Sequence, residues 1–375
     1  MDTKSRKLKV GVIFGGRSGE HEVSLVSARS VMRALDPDKY EVVPIGISRQ
    51  GQWVVGDALG QLTSGAVAHA QLPTGEGLEQ GAFVAGSADA TLMKIDREAR
   101  IAPMAELDVV FPLLHGTYGE DGTVQGLLEL ANVPYIGAGV VGSAVGMDKA
   151  IFKNVMESHG LPVLPWSLVL RSQWQRDRDQ IVVQLEEKLD YPMFTKPANL
   201  GSSVGICKCD NRDELIAGMD EATRFDRRVV VEQGATVREL EVAVMGNDDL
   251  MASVVGEIRP KRAFYDYEAK YITDDSELLI PAPLGIEQQH EIRELAKRAY
   301  QAIDCAGLGR VDFLMVDRLE TVYINEINTI PGFTSISMYP KLWEATGIPY
   351  AELLDRLIAL AIERYEDKAQ NTTEF

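Results

Sequence analysis

Four polar residues near the C-terminal end stand at spacings that suit metal-assisted chemistry. Arg310 and Asp312 are two apart in the apolar run GRVDFLMV, and Glu326 and Asn328 are two apart in TVYINEIN. Residues two apart on a strand project from one face, so paired strands would gather all four side chains. Asp312, Glu326 and Asn328 suit one or two Mg²⁺ ions that bridge nucleotide phosphates, and Arg310 suits a phosphoryl group or an oxyanion. The alternative is a plain polar strand end before a turn.

Two lysines stand where an anion would be expected. Lys149 opens a predicted helix in MDKAIFK, and a cation there opposes the helix dipole unless an anion lies nearby. Lys196 ends the predicted strand YPMFTKP and precedes the small-residue loop NLGSSVG, residues 199–205. Such a loop can wrap an anion with backbone N–H groups or close as a lid. Solvated lysines and a simple hairpin turn are the alternatives.

Single polar residues elsewhere have both a functional and an ordinary interpretation. Glu22 lies in the first turn of the first predicted helix, where it can hold a substrate ammonium or simply complement the helix dipole. His115 follows a predicted strand, at the end where doubly wound sheets place ligand loops, although a lone His is often structural. Glu232 and Glu239 can serve adenine and ribose, or they are ordinary exposed acids.

The segment FYDYEAKY, residues 264–271, has an aromatic content unusual for a loop. It is expected either to close over a site, with Lys270 and Tyr271 pointing inward, or to form an amphipathic surface.

Composition limits the class of protein. The 375 residues include 38 Lys and Arg against 56 Asp and Glu, a net charge of −18 that argues against nucleic acid as the main partner. Three cysteines without metal-ligand spacing favour free thiols in a reducing cytoplasm. The chain shows no long uncharged apolar run, so we expect a cytoplasmic protein with no membrane partner.

The elements that must position these residues begin with a β-α-β pattern. Strand 8–14, a helix and strand 40–47 predict a doubly wound sheet in a domain spanning 1–146, with an insertion at about 49–105. Further α/β units are expected at 147–234 and 235–375. The run GAGVVG matches the dinucleotide fingerprint, but it follows the last strand of its unit, so we expect a Gly-rich turn between domains.

Together these segments resemble the ATP-grasp superfamily and, within it, the D-alanine–D-alanine ligases. The similarity runs in order through VGVIFGGRSGEHEVSL, HGTYGEDGTVQG, GMDK, TKPANLGSSVG, VVEQ, YDYEAKY, GRVDF and NEINTIPGFTSISMYP. It implies an N-terminal Rossmann-like α/β substrate domain, followed by a two-lobed ATP-grasp fold of mixed α/β and α+β character. The lobes would be 147–234, the central lobe, and 235–375, which carries the metal and catalytic residues.

The resemblance also implies a role for each candidate residue. ATP phosphates would meet Lys149, Lys196, Lys270, Ser202 and Ser203, and the nucleoside would meet Glu232, Gln233 and Glu239. Two Mg²⁺ ions, with Mn²⁺ as a substitute, would bind Asp312, Glu326 and Asn328. Glu22 would anchor the first D-alanine ammonium in a hydrogen-bonded trio with Ser202 and Tyr271, near His115. Arg310 and the Gly332 N–H would stabilise the oxyanion, while Ser337 and Lys270 would receive the second D-alanine carboxylate.

The implied activity is ATP-dependent joining of two D-alanine molecules for peptidoglycan precursors, by a homodimer. A sister ligase that uses D-lactate or D-serine is the nearest alternative. More distant alternatives are an ATP-grasp ligase for another acid, a non-catalytic nucleotide-binding regulator, and a nicotinamide dehydrogenase that rests on GAGVVG alone.

Overall fold

The computed structural model describes residues 6–56, 59, 72, 79–84, 90–96, 98–260, 276–316, 321–334 and 336–372. These residues form three sheets in succession along the chain, with helices packed on them. The helices are α1 His21–Ala34, α2 Thr123–Leu130, α3 Val140–Met147, α4 Lys149–Ser158, α5 Arg171–Arg176, α6 Arg178–Glu186, α7 Arg212–Phe225, α8 Ile286–Ala302, α9 Met338–Ala345 and α10 Tyr350–Lys368. None of these described helices combines the length and apolar character that crossing a membrane requires.

The first sheet confirms the β-α-β prediction and shows what the insertion does. Its parallel core places β1 (Leu8–Gly15) between β2 (Tyr40–Ile47) and β7 (Val109–Leu113). The described part of the insertion continues the sheet beyond β2 with antiparallel strands. These are β3 Trp53–Val54, β4 Gln80–Phe83, β5 Thr91–Ile95 and β6 Ile101–Glu106. The insertion therefore widens this sheet.

The central sheet has four strands in the order β10-β9-β11-β8. They are β8 Trp166–Leu170, β9 Met193–Pro197, β10 Cys207–Cys209 and β11 Arg228–Gln233. Every pairing is antiparallel, and the β9–β11 register brings Lys196 opposite Val230. The side chains of Lys196 and Glu232, two residues beyond Val230, can therefore reach each other along one face.

The C-terminal sheet runs β15-β14-β12-β16-β17, with β13 also on β12. Its strands are β12 Val237–Gly246, β13 Met251–Ala252, β14 Gly256–Pro260, β15 Ser276–Leu279, β16 Gly307–Val316 and β17 Thr321–Asn328. The predicted pairing of β16 with β17 is confirmed, and the register places Asp312 opposite Glu326 and Arg310 opposite Asn328. On the other side of β16, Glu241 of β12 is also opposite Asp312.

Packing ties the first sheet to the C-terminal one. Phe14 and Phe111 of the first sheet share an apolar core with Phe333, Leu353 and Leu357 from the C-terminal region. A second core lies on the C-terminal sheet under α4 and α8. Loops at the ends of β1, β7 and β17 are thereby held close to one another.

Several predictions about local structure are wrong. GAGVVG is not only a turn, because Gly139 caps α3 and the run continues as helix. Gly142 lets this helix approach the C-terminal sheet, since a Cβ there would lie 2.8 Å from the Asp304 carbonyl oxygen. Helices α5 and α6 are separated at Asp177, whose carboxylate accepts from the Gln180 N–H at 3.4 Å. Strands β8 and β15 and helix α9 were not predicted.

Candidate active site

The predicted metal-binding residues meet across β16 and β17. Asn328 Nδ2 donates to Asp312 Oδ2 at 2.9 Å, and Glu326 is the direct neighbour of Asp312 across the pair. Arg310 donates to the same carboxylate from Nε and Nη2, at 2.7 Å each. The clustering deduced from spacing is thus observed, but Asp312 is engaged by Arg310.

Arg310 has a further carboxylate that the sequence analysis did not single out. Glu241 Oε2 lies 3.0 Å from Arg310 Nε, and its side chain is only 8% exposed. Within the described part of the chain, no three His, Cys, Asp or Glu side chains form a ready-made metal cage. A cation at this site would therefore rely on two carboxylates and the Asn328 amide, with other ligands such as phosphate oxygens completing its shell.

Lys149 connects the loop after β9 to Glu326 of β17. Its Nζ donates to the Leu200 carbonyl at 2.6 Å and lies 3.9 Å from Glu326 Oε2. The prediction that a lysine at this helix start has an anionic partner is confirmed. The alternative of a solvated surface lysine does not hold, since only 12% of this side chain is exposed.

Lys196 lies in a buried ion cluster, which we call the lysine cluster and define as Lys153, Lys196 and Glu232. Both lysine ammonium groups donate to Glu232, one to each carboxylate oxygen. Side-chain exposure is 2% for Lys153, 2% for Glu232 and 14% for Lys196. Burial acts to raise the pKa of Glu232, but the two cations outweigh it and lower that pKa to about 2.

The lysine cluster corrects the expectation for Glu232. It is not an exposed acid, and its carboxylate is occupied by two cations, which leaves its backbone as the part that can meet an adenine edge. Burial acts to lower the pKa of Lys196, but the neighbouring Glu232 carboxylate outweighs this and raises it.

The predicted contact between Glu22 and Ser202 is wrong; Glu20 makes it instead. Ser202 Oγ donates to Glu20 Oε1, and Glu20 is 7% exposed at the start of α1. Glu22 lies on a different side of the helix, where its side chain is 59% exposed and its carboxylate pairs with Arg49. Both glutamates stand in GEHE, and no periodicity in this segment favours the residue before the helix over the one in its first turn.

His115 is buried beside this carboxylate. Its Nδ1 lies 3.0 Å from the Ile330 carbonyl oxygen and its Nε2 lies 3.2 Å from Ser27 Oγ. Burial lowers the pKa of His115 below its ordinary value. The ring therefore joins the loop after β7 to the segment after β17.

Glu120, in the same loop, was not predicted. It accepts from the Gly116 N–H at 2.7 Å and from the Ile330 N–H at 3.2 Å. Burial, followed by the nearby Glu20 carboxylate, raises the pKa of Glu120 to about 8. Two carboxylates thus stand near Gly116, an arrangement that favours a cationic ligand.

The turn after β17 brings Gly332 and Ser337 together. Ser337 Oγ accepts from the Thr334 N–H at 3.0 Å, and a Cβ on Gly332 would lie 2.9 Å from that oxygen. Ser337 is also the residue that precedes α9. The turn therefore places this glycine directly beside this serine.

Four of the remaining predicted residues are among the described residues, and two are not. Ser202 and Ser203 both adopt left-handed backbone conformations, with φ of 52° and 58°, in the loop after Lys196. Gln233 ends β11 and accepts from the Asp190 N–H at 3.2 Å, and Glu239 lies on β12. Lys270 and Tyr271, with the rest of 264–271, lie outside the described residues.

Family models cover most of the chain. The "D-ala D-ala ligase N-terminus" model matches residues 9–138, and the "D-ala D-ala ligase C-terminus" model matches residues 155–359. Relatives include the D-alanine–D-alanine ligase of Heliobacterium modesticaldum, 52% identical over 369 residues and 98% of each chain. That of Natranaerobius thermophilus is 48% identical over 371 residues and 99% of each chain.

Solved structures give the same result. The D-alanine-D-alanine ligase from Coxiella burnetii is 34% identical, with a TM-score of 0.82 over 98% of this chain and 97% of that one. The VanG D-Ala:D-Ser ligase from Enterococcus faecalis is also 34% identical, with a TM-score of 0.82 over 95% and 100%. The fold is therefore that of an ATP-grasp ligase, as the sequence analysis predicted. Within that class, the chain belongs to the D-alanine–D-alanine ligase family.

Besides Glu20, three residues of the site were missed for different reasons. Lys153 had a signal, because it shares the buried face of α4 with Ala150 and Met156, where a lysine calls for a buried partner. Glu241 had one too, since it alternates with Glu239 on β12. Nothing in the loop sequence marked Glu120.

Proposed function

We propose that this protein joins two D-alanine molecules into D-alanyl-D-alanine, converting ATP to ADP and phosphate, for peptidoglycan precursor synthesis. The observation that carries the proposal is the Ser202–Glu20 hydrogen bond. It connects the loop beyond Lys196 to a buried carboxylate of the first domain that suits an amino acid's ammonium. An amino acid held there would lie beside the groups suited to phosphates.

The first D-alanine binds with its ammonium at Glu20, in the pocket that His115 lines. The trio proposed from the resemblance becomes Glu20, Ser202 and Tyr271. The hydrogen bonds of Glu120 connect the His115 loop to Ile330. The second D-alanine carboxylate binds at Ser337 and Lys270.

ATP binds between the central and C-terminal sheets. Lys149 and Lys196 meet its phosphates, the loop with Ser202 and Ser203 covers them, and Glu239 meets the ribose. The adenine lies against the backbone at Glu232 and Gln233. Lys149 fits this role because its ammonium already lies between the loop and Glu326.

The donor set at the C-terminal sheet fits Mg²⁺. Asp312, Glu326 and Asn328 offer only oxygen ligands, and hard cations prefer such ligands. These residues would hold two Mg²⁺ ions, with Mn²⁺ as a substitute. When bound, the ions would neutralise phosphate charge and favour attack by the substrate carboxylate. With Asp312 bound to metal, the Arg310 guanidinium would turn from Asp312 toward the reacting oxygen atoms.

The chemistry explains why these groups are needed. A carboxylate is a poor acceptor for an amine, so its oxygen first attacks the γ-phosphorus of ATP and ADP departs. The deprotonated amine of the second D-alanine attacks the resulting acyl phosphate. Arg310 and the Gly332 N–H stabilise the tetrahedral oxyanion, which collapses with loss of phosphate. Closure of the loop 199–205 excludes water that would hydrolyse the acyl phosphate.

A D-alanine–D-serine or D-alanine–D-lactate ligase is the second candidate. The observation in its favour is the fit to the VanG D-Ala:D-Ser ligase, equal in TM-score to that of the Coxiella burnetii D-alanine-D-alanine ligase. The type of 264–271, which resembles the dipeptide-forming enzymes, favours D-alanine. Tyr271→Phe should loosen selection of a D-amino acid over a D-hydroxy acid, and unchanged selectivity would remove Tyr271 from that role.

The deciding experiment measures ATP- and Mg²⁺-dependent phosphate release with D-alanine alone, L-alanine alone, and D-alanine plus D-serine or D-lactate. Product mass identifies what is joined. D-alanyl-D-alanine from D-alanine alone supports the proposal, whereas a preferred mixed product moves the protein to the sister class. We further propose that the enzyme works in the cytoplasm as a homodimer, which sedimentation of the purified protein would test.

A further inference from the structure

The lysine cluster contains a second cation, Lys153, besides the lysine proposed to bind phosphate, Lys196. Lys153 donates to one oxygen of Glu232 and Lys196 to the other, with 2% of the Lys153 side chain exposed. Lys153 is too enclosed to meet a ligand directly. Lys196, at 14% exposure, is the more accessible member, and its charge interacts with Glu326 and Glu239 of the C-terminal sheet. The two lysines therefore have unequal access although they share one partner.

Binding of an anion by Lys196 creates a problem for Glu232. An ammonium that turns toward a phosphate loses much of its contact with the carboxylate, and Glu232 is itself only 2% exposed. A buried carboxylate that loses its partner is strongly destabilised. If Lys196 were its sole cation, Glu232 would hold this lysine and oppose nucleotide binding.

We propose that Lys153 is a positioning residue that keeps Glu232 compensated and so frees Lys196 for the nucleotide. The proposal rests on the proposed function, in which Lys196 meets ATP phosphates. Lys153 remains on Glu232 when Lys196 turns away, so the carboxylate keeps one buried cation throughout.

The placement of Lys153 on α4 suits this role. Lys149 and Lys153 are four residues apart, one helical turn, on the same helix. The helix is fixed at its start by Asp148, which accepts from the Ala150 and Ile151 N–H groups at 3.1 and 3.0 Å. One rigid element thus carries both a lysine for the phosphates and the lysine that supports Glu232.

The test compares binding of a non-hydrolysable ATP analogue, by calorimetry without D-alanine, among variants of the full chain. Lys153→Met should weaken binding about tenfold or more, a loss of about 1.4 kcal/mol. Lys196→Met should weaken binding in the native background but add little in the Lys153→Met background. Lys188→Met, the same change at an exposed lysine of the central region, is the control and should bind as the native protein does.

Removing the Glu232 charge should reverse the effect. Lys153→Met/Glu232→Gln should bind the analogue better than Lys153→Met alone, because Lys196 no longer leaves a buried charge behind. If Lys153→Met does not fold, Glu232→Gln and the double variant still decide the matter, since Lys153 should not affect affinity once Glu232 is neutral. A purely structural lysine would move thermal stability without this reversal of affinity.

The outcomes separate the two proposals. Native-like affinity in Lys153→Met, or about tenfold loss from removing Lys153 in the Glu232→Gln background, would overturn the positioning role while leaving the proposed function intact. Failure of the native protein to bind the analogue would overturn the proposed function itself.

Discussion

Two ion clusters in this protein have the same form with opposite signs. In the lysine cluster, the Glu232 anion lies between two cations; in what we call the strand cluster, the Arg310 cation lies beside two anions, Asp312 and Glu241. The lysine cluster has side-chain exposures of 2%, 2% and 14%, against 8%, 14% and 19% in the strand cluster. In each cluster the central group has two partners. One is proposed to bind ligand, Lys196 or Asp312, and the other, Lys153 or Glu241, stays in place.

The difference lies in what water can do. Removing a partner from Glu232 leaves a charge that solvent cannot reach, whereas Arg310 remains partly hydrated and keeps a bidentate hold on Asp312. We therefore expect equivalent changes to cost more stability in the lysine cluster than in the strand cluster. The strand cluster should matter more for turnover, because Arg310 and Asp312 are the members proposed to act at the reacting groups.

The largest expected effect is the loss of turnover when Glu326, which lies opposite Asp312 of the strand cluster, is replaced. Glu326→Gln keeps the shape of the side chain but removes the charge of a proposed metal ligand, so phosphate release should fall on the order of 10³-fold or more. Thermal unfolding should remain near native. The control is Glu22→Gln, the same change at an exposed ion pair, and near-native turnover by Glu326→Gln would remove this residue from the metal site.

Glu232→Gln should cause the largest loss of stability. It leaves two buried lysines without their anion, at a cost of roughly 3 kcal/mol in the free energy of unfolding. Denaturant unfolding at pH 7 measures it. Glu241→Gln is the matched variant in the strand cluster, and a loss from Glu241→Gln as large as that from Glu232→Gln would contradict the comparison.

The pH dependence follows from the depressed pKa of Glu232, about 2 against an ordinary value of 4.5. Because the folded state holds the proton more weakly than the unfolded state, this contribution is complete above the ordinary value and is lost as pH falls toward about 2. The native protein should lose stability over that window. Glu232→Gln should show a shallower loss there, and an identical slope in both proteins would contradict the assignment.

A smaller effect should separate Glu20 from Glu22. Glu20→Gln removes the anion proposed for the first ammonium and should raise the KM for D-alanine about tenfold at saturating ATP. Glu22→Gln breaks only an exposed pair with Arg49, so its KM should stay within about twofold of native. A larger effect at Glu22 than at Glu20 would restore the original sequence prediction.

The smallest expected effect is that of Glu241→Gln on catalysis. The glutamine amide oxygen can still accept from Arg310 Nε, so kcat should fall by about threefold while the KM for ATP is unchanged. Steady-state kinetics over a range of ATP concentrations would measure both. A loss comparable to that of Glu326→Gln would mean that Glu241 acts at the reacting groups directly.

The same comparison explains what could be predicted from the sequence. The grouping of Arg310, Asp312, Glu326 and Asn328 was predictable, because these residues sit on two strands joined by a short connection and alternation alone places them on one face. Glu241, the third member of the strand cluster, lies on β12 and was not singled out. The lysine cluster joins residues 153, 196 and 232 from a helix and two strands, and no local period relates them. Only the tertiary arrangement brings α4 over the central sheet.

The error at Glu22 has a similar cause. Which of two glutamates at a helix start faces the site depends on the direction of the helix relative to its surroundings. Here that direction points Glu20 at Ser202, 182 residues later in the chain. The segments that the sequence predicted best are those whose partners are close in sequence. Contacts between domains, such as those of His115 and Glu120 with Ile330, could not be read from local patterns.

The central claim is that the first D-alanine is activated through its carboxylate oxygen. D-Alanine with ¹⁸O in both carboxylate positions, turned over with unlabelled ATP in ordinary water, tests it most directly, with the mass of the released phosphate as the readout. The account predicts one ¹⁸O atom in each phosphate, carried from the carboxylate through the acyl phosphate. Phosphate released together with dipeptide but without ¹⁸O would contradict it.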